Sequence, residues 1–461
     1  MKVVIIGGVA GGATAAARIR RLDEQAEIVV FERSGFISYA NCGLPYYIGG
    51  TIEEENDLTL QTPESFWRRF RVKMNVHHEV TAIHPDSKTV TVKNLENGKI
   101  LTESYDKLVL SPGAKPIRLG FDGIDSDKIF TLRTVEDTLK LKKYTDEHHP
   151  KSAVVVGGGF IGIEVAENLR ELGIDVTLVE AADQLMAPFD RDMASFIHAE
   201  IRKNSIHLML DTMVEGFADT DCGIDVKLKN TPTLHTDMVV MAIGVAPETT
   251  LAKEAGLELG IKGSIVVNDK METSIPDIYA VGDAVQIKNF ITDNDTLISL
   301  AGPANKQGRI AADNICGGES HYTGGQGSSV IKIFDMTAAA TGINEKAAKS
   351  LGIATDKVIL SPMSHAGYYP GGKMMTMKVL FEKESYRLLG AQIVGFDGVD
   401  KRIDVLATAI RAGIKAYELT ELDLAYAPPY SSAKDPVNMA GYIIENMKNG
   451  IVKQWYYEED E

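Results

Sequence analysis

The stretch Ala153-Val154-Val155-Val156-Gly157-Gly158-Gly159-Phe160-Ile161-Gly162 decides the fold. A short β-branched apolar run is the mark of a buried parallel strand. Here it runs straight into a complete G-x-G-x-x-G. The pattern predicts a helix over 163–172 and a second strand over 176–180, which ends in Glu180, 23 positions after Gly157. Strand, glycines, helix, strand and terminal acid in that order make a dinucleotide-binding unit. The glycines let the backbone approach a pyrophosphate seated on the helix N-terminus, and the acid accepts from a ribose hydroxyl. Glu180 would repel a 2′-phosphate, and Ala181-Ala182-Asp183 supplies no Arg or Lys. NAD is therefore favoured over NADP.

A second copy opens the chain. Val3-Val4-Ile5-Ile6 leads into Gly7-Gly8-Val9-Ala10-Gly11-Gly12, then a predicted helix over 13–22 and a strand over 26–32 ending in Glu32, 25 positions after Gly7. Val9 stands where the second glycine of the motif belongs. Two such units, 150 residues apart, point to two dinucleotides, and the economical pair is FAD and NAD. Residues 105–114 read as a strand ending in the small-residue turn Ser111-Pro112-Gly113, and 239–244 as the closing strand of the second unit, ending in Gly244. Residues 278–284 form an apolar strand ending in Gly282-Asp283, whose acid can accept from a flavin ribitol. A helix over 303–312 opens in Pro303 and Ala304, so its first amides can face the isoalloxazine.

Only three cysteines occur, Cys42, Cys222 and Cys316. Cys42 lies in Ser38-Tyr39-Ala40-Asn41-Cys42-Gly43-Leu44-Pro45-Tyr46, just after the first dinucleotide unit. The flanking Gly and Pro turn the backbone there. A cysteine at a helix start feels the positive end of the dipole, which favours the thiolate. Cys222 sits in a turn and Cys316 at a helix end, where a small buried hydrophobe is the simpler reading.

Composition sets outer bounds. The chain has 461 residues, 44% hydrophobic and 24% charged, with a net charge of −16. That acidity argues against nucleic acid as a partner. The cysteine spacing gives neither a disulfide framework nor a zinc pattern. His77, His78 and His84 cluster without a completing carboxylate or cysteine, so no metal is expected. No apolar run approaches the ~18 residues of a membrane span. The N-terminus lacks a leader pattern, and a reducing cytoplasm is expected.

From about Gly324 the pattern changes to strands over 329–334, 374–381 and 388–394 with a helix over 403–412, an α+β region. The expected fold class is α/β, with two Rossmann-like dinucleotide-binding domains for FAD and NAD and a C-terminal α+β dimerisation domain. The expected boundaries are 1–115 for the first FAD half, 116–246 for the NAD(P)H domain, 247–323 for the second FAD half, 324–450 for the C-terminal domain and 451–461 for an acidic tail or linker.

These motifs resemble the flavoprotein pyridine nucleotide–disulfide oxidoreductases over residues 1–450. Most members carry two cysteines four residues apart, but Tyr47 follows Cys42 where the second would stand. The resemblance is therefore to the single-cysteine branch. Ser38 through Tyr46, Gly8-Val9-Ala10-Gly11-Gly12 and Ala17-Arg18-Ile19-Arg20-Arg21-Leu22 are similar to coenzyme A disulfide reductases and NADH-dependent coenzyme A persulfide reductases. The resemblance implies Cys42 as the redox nucleophile, Arg18 and Arg21 on coenzyme A phosphates, and Ser38 and Asn41 on its pantetheine arm. It implies Tyr368 and Tyr426 as tyrosines reaching the partner subunit's site in a homodimer. Arg33, Val80, Arg133 and Glu164 join the glycines, Glu32, Glu180, Ser111, Gly244, Asp283, Pro303 and Ala304 as expected cofactor contacts. The alternatives are an NADH oxidase or peroxidase cycling Cys42 through sulfenic acid, and a flavoprotein redox sensor. Peroxidases usually place a His on the first helix, where this chain has Ala10 or Gly11. The tail resembles the junction at which some persulfide-reducing members continue into a rhodanese domain.

Overall fold

The structure is a computed structural model that describes residues 1–456. It divides into two compact units, the first from 1–151, 217–224 and 237–325, the second from 152–216, 225–236 and Gln326 onward.

The first unit is built on a five-stranded parallel sheet among the described residues. Its order is Ile278–Ala280, Lys107–Leu110, Lys2–Ile6, Glu27–Phe31, Lys73–Asn75. The register pairs Val4 with Val29 on one side and with Leu108 on the other. From the central strand Lys2–Ile6 the chain builds outward in both directions, so the sheet has a switch point there, and the crevice at the strands' carboxyl ends is where such folds bind ligands. Strand alternation splits the core. Val3 and Ile5 pack with Ala13, Ala16 and Ala312 from the flanking helices. Val4 and Ile6 face the antiparallel strands His78–His84, Thr89–Asn94 and Ile100–Ser104 through Val80, Ile83, Val90 and Val92.

The helices Ala10–Leu22 and Ala301–Ile315 pack at backbone distance. A Cβ on Gly308 would lie 2.4 Å from the Gly11 carbonyl oxygen. The first helix starts at Ala10, one turn before the sequence pattern places it, because Val9 enters it directly from the glycine loop. The histidines sit in this unit as ordinary strand and turn residues. His78 Nδ1 bonds the Val76 carbonyl (2.6 Å) and His84 Nε2 the Thr91 hydroxyl (2.9 Å).

The second unit holds the parallel strands Ser152–Val156, Asp175–Val179 and His207–Met209 with the helix Phe160–Glu171. It also holds a five-stranded antiparallel sheet among the described residues, ordered Ser329–Ile333, Met336–Gly342, Leu388–Gly395, Met375–Glu382, Thr355–Leu360. The helices Val399–Ala412 and Pro436–Lys448 belong to this unit. Lys378, 1% exposed, is compensated by Asp190 at 3.0 Å, Asp192 at 2.9 Å and Glu345. Of the expected acidic tail over 451–461, residues 457–461 lie outside the described residues. Within them, the Tyr456 hydroxyl donates to the Lys357 carbonyl, and burial pushes that phenol's pKa upward.

The Gly308–Gly11 contact is a packing claim with a direct test. Gly308→Ala must separate the two helices or distort them, and is expected to cost about 1–3 kcal/mol. Denaturant unfolding of the variant checks this; an unchanged midpoint would contradict the contact.

Candidate active site

A cleft of about 910 Å³ opens at the carboxyl ends of the first unit's strands. That is near the upper end of small-ligand pockets, as a dinucleotide requires. Three backbone segments meet there because they lack side chains. Gly7 adopts φ +98°, and a Cβ on it would lie 2.1 Å from the Ser111 carbonyl oxygen. A Cβ on Gly12 would lie 2.0 Å from the Gly7 carbonyl oxygen. Val9, at the N-cap of the helix Ala10–Leu22, makes no side-chain capping bond, so the helix's first amides are left for an anion.

Glu32 lines the cleft at the end of the second strand. It accepts from the Gly8 N–H (2.8 Å) and the Ser34 N–H (2.9 Å). The second unit repeats the device. Gly157 has φ +111°, and Glu180 accepts from the Gly158 N–H (2.6 Å) and the Ala182 N–H (2.8 Å). Gly159 caps the helix Phe160–Glu171 without a side-chain bond, and a Cβ there would meet nothing within 4 Å. Gly162 is buried inside that helix. Both fingerprints thus have the open amides and the acid that a dinucleotide needs.

On the opposite wall, Asp283 pairs with Arg133 at 2.7 Å, and the Arg133 Nε donates to the Ala114 carbonyl (3.1 Å). Gly113, at φ +73°, passes close beneath that guanidinium. Gly282 donates its N–H to the Gln307 side chain at 2.7 Å. Arg33, Val80, Ser111 and Ala304 line the cleft as well. Gly244 (φ +103°) and Pro303 are not among the lining residues. Gly244 accepts from the Ile117 N–H (3.0 Å) beside the antiparallel ribbon of Ala114–Pro116 and Val245–Pro247, and Pro303 lies in the first turn of Ala301–Ile315.

Cys42 is exposed and lines the same cleft. It sits in the single turn Asn41–Gly43 that runs into the short helix Leu44–Ile48. The approach to it is tied to the glycine loop. The Ser38 N–H donates to the Gly8 carbonyl (2.9 Å), Leu60 N–H to Ser38 (3.1 Å) and Ala40 N–H to Leu58 (2.8 Å). Ser38 takes φ +46° to make that turn. Asn41 Oδ1 is buried with no hydrogen-bond partner among the described residues. A buried acceptor left unmade is costly, so a donor from a ligand is its natural complement. Cys316 caps the far end of the helix Ala301–Ile315, roughly 18 Å along the helix from cleft-lining Ala304. Cys222 lies in the turn after Val214–Thr220.

The remaining expected residues stand apart from the cleft lining. Arg18 Nε donates to Asp313 Oδ1 (2.6 Å), and the Arg21 guanidinium lies 5.6 Å from the Phe70 ring centre. In the second unit, the Tyr368 and Tyr426 hydroxyls are 2.5 Å apart on exposed rings, and that bond, followed by desolvation, raises the Tyr426 pKa. Sequence reasoning missed Tyr39, Asp137 and Gln307. Tyr39 lines the cleft beside Asn41, and its phenol is pushed up first by burial and then by the Glu32 charge. Its only signal was proximity to Cys42, and Gln307 had none.

Residues 1–308 match the pyridine nucleotide-disulphide oxidoreductase family, and residues 328–436 match its dimerisation domain. The chain belongs to this family. It is an oxidoreductase that uses FAD and a pyridine nucleotide, as the two fingerprints imply. The coenzyme A disulfide reductase of Staphylococcus haemolyticus is 39% identical over 442 residues, 96% of this chain and 98% of that one. Reduced Bacillus anthracis CoADR-RHD superposes with a TM-score of 0.97 at 50% identity, over 98% of this chain and 82% of that one. The NAD-dependent persulfide reductase from A. fulgidus does so at 0.94 and 38% identity, over 98% and 84%. The resemblance drawn from the motifs is borne out.

Glu164 follows the second fingerprint, and its pKa is raised to about 7, first by burial and then by Glu167. Glu167 itself is held by Lys332 at 2.6 Å. A carboxyl with a folded pKa above its unfolded value binds more protons when folded. Stability is therefore lost as pH rises from about 4.5 to about 7. Glu164→Gln is expected to flatten the stability profile between pH 5 and 8 by roughly 1–3 kcal/mol. Parallel wild-type and variant profiles would contradict this.

Proposed function

We propose that the enzyme uses NADH to reduce coenzyme A disulfide or coenzyme A persulfide through Cys42. The observation that carries this is placement. Cys42 is the one cysteine among the described residues that lines the cleft, beside a buried Asn41 oxygen that lacks a partner. The redox disulfide is then made with sulfur brought by the substrate, and the named relatives are reductases of such sulfur.

In this reading the Cys42 thiolate attacks one sulfur of coenzyme A disulfide. A Cys42–S–S–CoA bond forms, the substrate S–S bond breaks, and one coenzyme A thiolate leaves. With a persulfide the leaving sulfur is hydrosulfide. FAD, when bound, supplies the two-electron relay by which NADH returns Cys42 to thiolate and releases the second coenzyme A. Asn41 and Ser38 hold the pantetheine arm, Asn41 Oδ1 accepting its amide N–H. Arg18 and Arg21 bind phosphates by charge-assisted bonds. Tyr368 and Tyr426 of the partner subunit stabilise or protonate the departing thiolate. Glu32, Arg33, Val80, Ser111, Gly113, Arg133, Gly282, Asp283, Pro303 and Ala304 serve FAD. Glu164, Glu180 and Gly244 serve the nicotinamide nucleotide, and Glu180 selects NADH over NADPH by occupying the place of a 2′-phosphate.

We assign 1–115 with 247–323 to FAD, 116–246 to NADH and 324–450 to the contact of a homodimer. No helix among the described residues is long and apolar enough to cross a membrane. A cytoplasmic, reducing compartment suits a thiol product.

Cys42→Ser is expected to keep NADH-dependent bleaching of the flavin absorbance, while steady-state turnover of coenzyme A disulfide falls by roughly a thousandfold or more. Unchanged turnover would sink the assignment of the nucleophile. Efficient oxygen or peroxide reduction by wild type with none for either coenzyme A substrate would favour the oxidase or peroxidase reading.

A further inference from the structure

Two side-chain contacts cross between the helices Ala10–Leu22 and Ala301–Ile315. Thr14 Oγ1 donates to Asn305 Oδ1 at 2.8 Å, where both residues line the cleft. One turn further on the same helix face, about 6 Å along the axis, Arg18 Nε donates to Asp313 Oδ1 at 2.6 Å. The pair is largely shielded, with side chains 22% and 15% exposed. Asp313 is itself fixed from a second side, since its Oδ2 accepts from the Ser320 hydroxyl at 3.0 Å. The bond to Arg18 uses Nε only. Among the described residues no hydrogen bond engages the two terminal nitrogens. An arginine held by Nε keeps its planar fork rigid and available for bidentate contact with phosphate oxygens, which a lysine could not offer.

We infer that Asp313 is a positioning residue that aims the Arg18 fork at the phosphates of the substrate's nucleotide end. The inference rests on the functional reading above, in which Arg18 meets those phosphates. Asp313 touches no substrate itself, and its negative charge opposes phosphate binding. Its contribution is orientation, gained because a long side chain already held in one rotamer loses less freedom when ligand arrives. Orientation and charge make opposite predictions for two variants. Asp313→Ala removes both; Asp313→Asn removes the charge but keeps a carbonyl that accepts from Nε.

The test uses the purified FAD-loaded enzyme with two substrates. Coenzyme A disulfide carries phosphates; pantethine has the same disulfide and pantetheine arms without them. In Asp313→Ala the KM for coenzyme A disulfide is expected to rise about 5- to 10-fold with kcat within about twofold. The KM for pantethine should move less than about twofold, and Asp313→Asn should restore the coenzyme A disulfide KM to near or below wild type. An unchanged or lowered KM in Asp313→Ala would overturn the inference. So would an Asn variant as impaired as Ala, or an equal shift with pantethine, which would mark Asp313 as a helix-pair strut only. Wild-type enzyme that turns over neither coenzyme A disulfide nor coenzyme A persulfide would overturn the functional reading, and the inference with it, and is distinct from a failure confined to the variants.

Discussion

The cleft exists because backbone can approach backbone at the end of the central strand. Gly7 has no side chain to strike the Ser111 carbonyl, Gly12 none to strike Gly7, and Gly308 none to strike Gly11. Each substitution by even a methyl group would push a strand end or a helix out of place. The result is a loop whose first helical amides carry no side-chain cap and point at the space a pyrophosphate would fill. Packing and ligand binding are one constraint here, and that is why the glycines sit where they do.

The same economy ties Cys42 to the glycine loop. Gly8 gives its N–H to Glu32 and its carbonyl to the Ser38 N–H, so one residue joins the acid at the end of the second strand to the segment that carries Cys42. The turn at Asn41–Gly43 then leaves Cys42 exposed and the Asn41 oxygen buried. In the second unit Gly158 and Glu180 reproduce the first half of this arrangement with no cysteine attached. A dinucleotide fingerprint needs only the glycines and the acid; redox chemistry on sulfur needs the additional tether.

Much of this was legible in the sequence because it is written in short, local patterns. Gly7 to Glu32 and Gly157 to Glu180 fix strand, loop, helix and strand by spacing alone. The C-terminal strands at Met375–Glu382 and Leu388–Gly395 fell close to the expected ranges because their residues are apolar and β-favouring. The strand Met336–Gly342 was missed, since its run Ala338-Ala339-Ala340 disfavours a strand and is recruited by its neighbours at Ser329–Ile333 and Leu388–Gly395. Contacts between distant segments left no local signature. Gln307 on Gly282, Arg133 on Asp283 and Asp313 on Arg18 are set by tertiary approach across 25, 150 and 295 positions.

The most direct test of the account is the mass of the intact, purified, oxidised protein, measured before and after a thiol reductant and followed by peptide mapping. The account predicts a reducible gain equal to one coenzyme A, located on Cys42. An unmodified mass, or a gain of a single oxygen on Cys42, would contradict it.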